Sequence, residues 1–74
     1  MYRHPSLAAL GRNLRAPCQK RRLTQEKLGE LAELDPTYIS GIERGIRNPS
    51  LLSLLRIAKA LGVSVADLCK GVDA

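Results

Sequence analysis

Apolar residues in this chain recur three and four positions apart, the repeat of a helix surface, in five separate stretches, and no stretch reads as a strand. In the first, Leu7, Leu10, Leu14 and Cys18 share one face, while Arg12, Arg15 and Gln19 fall elsewhere and are expected to face water. Ser6 stands where a helix cap is expected. Pro17 interrupts the pattern: inside a helix it deletes a hydrogen bond and crowds the preceding turn, at about 3 kcal/mol. The expectation is a kink near Arg15-Ala16, or a break with Pro17 in the first turn of a new helix.

Between Thr24 and Pro49 lie two helix starts. Thr24 is placed to cap a second helix with Leu28, Leu31 and Ala32 as its inner stripe, and Glu26 complements the dipole of the first turn. Only Glu33 and Leu34 intervene before Asp35, a second cap, and Pro36, at a first helical position where its missing N–H is harmless. In the third helix Ile39, Ile42 and Glu43 face one way, and Gly45 can supply a left-handed stop. Two short helices joined this closely cannot run antiparallel. They must cross steeply, in the helix-turn-helix arrangement that offers one helix to the DNA major groove.

Asn48-Pro49-Ser50 reads as a loop and a cap, and a fourth helix over 51–61 is stopped by Gly62. Leu51, Leu52, Leu54, Leu55, Ile57, Ala58 and Leu61 give it an apolar face wider than one buried stripe. Ser64 and Asp67 resemble a capping box for a fifth helix with the stripe Val65, Leu68, Cys69 and Val72. That stripe either finishes the core or forms a seam between two copies. Beside the wide fourth helix the seam is favoured, with Leu55, Leu61, Val65, Leu68, Cys69 and Val72 as its residues. The pattern thus predicts an all-α, five-helix single domain over 1–74, with the helix-turn-helix at about 24–44 and a dimerisation region at about 51–72.

A chain of 74 residues buries only about 60% of its unfolded surface, and no separate effector-binding domain is expected. The formal charge of +5 favours a polyanionic partner. No Trp or Phe and only two Tyr are present, too few aromatics for a single-strand stacking platform. Cys18 and Cys69 stand far apart without nearby cysteine or histidine partners, so neither a zinc site nor a disulfide framework is read, and both are expected to be reduced thiols. His4 is a lone histidine near the terminus, with no metal role expected. No secretory signal and no membrane helix is read, which makes a cytoplasmic protein the default expectation. Without a histidine in the domain body, a glycine-rich phosphate loop or a carboxylate cluster, no enzyme, cofactor or small-molecule ligand is expected.

A helix that reads DNA needs short polar groups at its leading end and basic or amide groups around it to hold phosphates. Thr37 and Tyr38 lie in the first turn of the third helix, Ser40, Gly41 and Arg44 follow on its outer faces, and Arg47 and Asn48 come just after on a loop. Gln25 begins the second helix, where free N–H groups favour a phosphate.

With these residues in view, the sequence resembles the Cro/phage-repressor, or XRE-type, helix-turn-helix family. The resemblance rests on Thr24-Gln25, Leu28, Ala32, Tyr38-Ile39-Ser40, Ile42-Glu43-Arg44-Gly45, Arg47-Asn48-Pro49-Ser50, Leu54 and Ile57-Ala58-Lys59-Ala60-Leu61-Gly62-Val63, and covers roughly Leu7 to Leu68. The segment 35–44 looks most like the controller proteins of restriction–modification systems. The resemblance implies a five-helix, lambda-repressor-like domain, dimeric on near-palindromic operators. It implies that Gln25 holds a phosphate, that Thr37, Tyr38 and Gly41 face base edges, that Ser40, Arg47 and Asn48 hold backbone or neighbouring groups, and that Arg44 does either.

Four positions depart from the family. Pro17 replaces a core leucine or isoleucine, and Cys18 replaces an arginine that pairs with the glutamate matching Glu43. Arg15, Arg21 or Arg22 is expected to substitute, or Glu43 to be more exposed. Glu33 replaces a turn glycine, and Pro36 an arginine common in controller proteins. The function expected is a sequence-specific regulator of double-stranded DNA acting as a homodimer, repressing by occlusion or activating through contact with RNA polymerase. The alternative is an antitoxin or protein-interaction module with secondary DNA binding. The short span after the fifth helix argues against it.

Overall fold

Every helix of the computed structural model, which describes residues 4–73, begins at a side chain that accepts a backbone N–H from its own first turn. The helices are α1 (Pro5–Lys20), α2 (Gln25–Ala32), α3 (Pro36–Glu43), α4 (Leu51–Leu61) and α5 (Val65–Leu68), and no strand occurs among the described residues. Thr24 accepts from Lys27, Asp35 from Thr37, Ser50 from Ser53 and Ser64 from Asp67, as the sequence predicts. The Asp67 carboxylate in turn accepts from the Ser64 N–H, which completes the capping box and holds the carboxyl below its usual range. The first cap differs. It is His4, whose Nδ1 accepts from the Ser6 N–H at 3.1 Å. Pro5 is pre-set for the first helical position, and this moves the start upstream of Ser6.

Pro17 neither breaks α1 nor restarts it: the helix runs without interruption from Pro5 to Lys20. Pro17 opens the last turn, so the loss is confined to one bond, from its own nitrogen to the Asn13 carbonyl. The Arg21 N–H still reaches the Pro17 carbonyl at 3.1 Å. The Asn13 side chain meanwhile donates to the carbonyls of Leu68 and Lys70 at 2.8 and 2.7 Å, tying α1 to the end of α5.

Three of the four links between helices are built alike. Arg22-Leu23-Thr24, Glu33-Leu34-Asp35 and Gly62-Val63-Ser64 each place a left-handed residue, then an apolar one, then the next helix cap. The apolar residue sends its N–H back into the helix just ended (Leu23 to Cys18, Leu34 to Gly29, Val63 to Ala58) and packs its side chain on the core. This closes orphan carbonyls and lets one helix stop and another start within three or four residues. Between α2 and α3 the chain turns so tightly that a Cβ on Gly29 would stand 2.6 Å from the Leu34 carbonyl oxygen. Gly45, at φ 75°, ends α3 in the same manner, with Ile46 as the apolar residue that follows.

The core gathers Leu10, Leu14 and Cys18 of α1, Leu28 and Ala32 of α2, Ile39 and Ile42 of α3, Ile57, Ala58 and Leu61 of α4, and Leu68 of α5. Leu31 departs from its expected inner stripe: it is 50% exposed, because the buried ridge of α2 runs through Leu28, Gly29 and Ala32. Two residues expected at a dimer seam, Leu61 and Leu68, are 0% and 1% exposed and are used up by the core of the chain itself. The fifth helix is also shorter than its stripe suggests. It is a single turn, with Cys69 at its cap and Val72 beyond its end.

Candidate nucleic-acid interface

α3 packs against both α1 and α2, which leaves its leading end and one flank at the surface. Asp35 accepts the Thr37 N–H at 2.7 Å, fixing the first turn and leaving the Thr37 side chain exposed. Arg44, Arg47 and Asn48 are also exposed, past the other end of the helix. Gln25 is exposed at the first position of α2, where a backbone N–H has no partner within the helix.

Other expected site residues are placed differently. Tyr38 is half-buried against the core, and its hydroxyl lies 3.4 Å from Ser53 Oγ on α4, the long end of the hydrogen-bond range. Ser40 is half-buried. Gly41 does not face outward as expected. It is buried beneath the side chain of Arg47, so it offers no atom to a base edge.

The partner of Glu43 is none of the three arginines proposed for it. Its carboxylate Oε1 accepts a hydrogen bond of 2.7 Å from Gln25 Nε2. Arg15 comes near but donates instead to the Glu43 backbone carbonyl, at 3.3 Å. Arg22 is taken up in the left-handed link after α1, and the Arg21 guanidinium lies over Gly62 at the end of α4. Glu43 itself is half-buried. Cys18 is 5% exposed, and its thiol is pushed up to about 11, first by burial and then by the charge of Glu43. A neutral thiol therefore sits where a cation is expected from the family pattern, and an amide has taken the carboxylate instead. The sequence pattern gives Gln25 to a phosphate and does not link it to Glu43. No local spacing links residues 18 apart, and Cys18 in place of an arginine signals only that Glu43 needs another partner.

The described residues contain no group of His, Cys, Asp and Glu able to hold a metal ion, and both cysteines are free thiols. None of their helices is long and apolar enough to cross a membrane.

Residues 12–68 match the helix-turn-helix family. The control protein C.BamHI of Bacillus amyloliquefaciens is 53% identical over 49 residues, which are 66% of this chain and 60% of that protein. The immunity repressor protein of Bacillus phage phi105 is 42% identical over 59 residues, 80% of this chain and 41% of that protein. The chain therefore spans less than two thirds of the length of either relative. Among solved structures, the restriction-modification controller protein C.AhdI from Aeromonas hydrophila has a TM-score of 0.85 and 38% identity, over 88% of this chain and 98% of that one.

Proposed function

The chain belongs to the XRE-type helix-turn-helix family, and from that premise we propose that it is a sequence-specific regulator of transcription, binding double-stranded DNA as a homodimer on a near-palindromic operator. The observation that carries this reading is the exposed leading turn of α3 with Thr37 at its surface, flanked by exposed Gln25, Arg44, Arg47 and Asn48. Thr37 is the residue for base edges, with half-buried Tyr38 next to it in the first turn and half-buried Ser40 one turn further along α3. Gln25, Arg47 and Asn48 hold the sugar-phosphate backbone, and Arg44 serves either purpose. Gly41 drops out of the set of direct contacts. One α3 from each subunit enters the major groove, at half-sites about one helical turn apart.

The seam between copies centres on Leu51, Leu52 and Leu55, which are 66%, 69% and 42% exposed along α4, and extends to the half-buried Val65, Cys69 and Val72 in and just after α5. Bound beside its own promoter, such a dimer represses by occlusion or activates by touching RNA polymerase. The reading is of a cytoplasmic binding protein, not an enzyme.

The test is a titration of the protein against duplex DNA from upstream of its own gene, at two salt concentrations. A specific complex that weakens steeply with salt is expected, since each neutralised phosphate adds about 0.9 to the log–log slope. No specific complex at low salt would overturn the reading.

A further inference from the structure

Gly41 is the one residue of the expected reading surface that the fold buries, and what buries it is Arg47. A Cβ built on Gly41 collides with Cγ of Arg47 and meets its Cβ and Cδ at 3.4 Å. The Arg47 methylenes therefore lie directly on the backbone of α3, in the space any other residue at position 41 would fill. The main chain holds the same place. The N–H groups of Ile46 and Arg47 both donate to the Gly41 carbonyl, at 3.0 and 3.2 Å, so one peptide group fixes the loop after α3. Arg47 is nonetheless exposed, which leaves its guanidinium beyond the seat and open to a partner.

We propose that Gly41 is a positioning residue, whose missing side chain seats the Arg47 stem on α3 and so holds the guanidinium ready for DNA before binding. The inference rests on the DNA-binding reading above. An unseated arginine must give up rotamer freedom on binding, while a seated one has lost it already. Glycine is not needed here for backbone reasons. Position 41 is inside α3 at an ordinary helical conformation, where alanine is the better helix former. A glycine at such a place is explained by what occupies the space.

The test is a double-mutant cycle on the full chain, using duplex DNA from upstream of its gene and thermal unfolding in parallel. Gly41→Ala is expected to unfold at the same temperature or higher, since Arg47 can rotate away, and to bind about three- to tenfold more weakly. Arg47→Ala is expected to bind more weakly still. The combined variant should bind no worse than Arg47→Ala alone, because the seat matters only through its occupant. Additive losses would overturn the proposal by showing that a methyl group at position 41 meets DNA or distorts α3 directly, and unchanged binding by Gly41→Ala would overturn it too. A second measurement needs no DNA: nuclear Overhauser contacts between the Gly41 α-protons and the Arg47 side-chain methylenes are expected in the free protein. Their absence would show that the seat is empty. If the wild-type chain forms no specific complex while those contacts are present, the DNA reading has failed and the seat has not.

Discussion

The Glu43 carboxylate and the Gln25 amide lie 2.7 Å apart, joining the last residue of α3 to the first of α2. This bond stands where the family pattern places an arginine–glutamate pair across α1 and α3. With Cys18 buried and Glu43 only half-buried, the carboxylate keeps contact with water, and one neutral donor is enough to hold it. Glu43→Ala is expected to cost about 1 kcal/mol, the middle of the range for a single hydrogen bond net of solvation. Gln25→Ala should cost no more, and the two together little more than either alone. Urea denaturation of the three variants checks this. Additive losses would mean that the two side chains act independently.

The buried thiol gives a second prediction. Its folded value of about 11 lies above the ordinary 9.0. Between these values the unfolded chain has released the Cys18 proton and the folded chain still holds it. Stability due to this group is complete below pH 9 and is lost as pH rises towards 11, at about 1.4 kcal/mol per pH unit. Wild-type stability minus that of Cys18→Ala should decline across that window and be flat below it. A thiol reagent at neutral pH should modify half-buried Cys69 before Cys18.

Glu33 occupies a left-handed conformation, φ 58° and ψ 44°, between α2 and the cap of α3. A side chain there costs on the order of 1–2 kcal/mol, partly offset by the freedom that glycine adds to the unfolded chain. Glu33→Gly is expected to stabilise the fold by about 0.5–1 kcal/mol in a denaturant midpoint measurement. Loss of stability would mean that the Glu33 side chain supplies more than its backbone strain removes.

The same turn shows what the sequence makes legible. Thr24, Asp35-Pro36, Ser50 and Ser64 announce their helices because capping needs those side chains at the places they occupy. Gly45 and Gly62 announce ends because their left-handed conformations suit glycine. The ends at Arg22 and Glu33 adopt the same geometry without the residue that signals it, and only the apolar residue followed by a cap betrays them. Burial was legible for Leu10, Leu14, Ile39 and Ile42, which lie on the single apolar stripe of their helix. It was not for Leu31, Leu61 and Leu68, where periodicity cannot tell a core ridge from its neighbour. The candidate site was legible as a set of residue types along α3. That Arg47 covers Gly41, and that Gln25 reaches Glu43, depends on how helices pack and leaves no mark in local spacing.

Burial also separates two outcomes at the proposed seam. Leu55 is 42% exposed on α4, whereas Leu68 is 1% exposed in the core. Leu55→Asp places a charge at a surface where the monomer loses little. It should leave the helical content intact while halving the mass measured by sedimentation. Leu68→Ala empties a packed position, and the loss should be about 2–5 kcal/mol, enough to unfold much of a small domain whatever its oligomeric state. A folded Leu55→Asp variant with the same mass as the wild type would remove Leu55 from the seam. If Leu52→Asp behaved likewise, the outer face of α4 would not be where two copies meet.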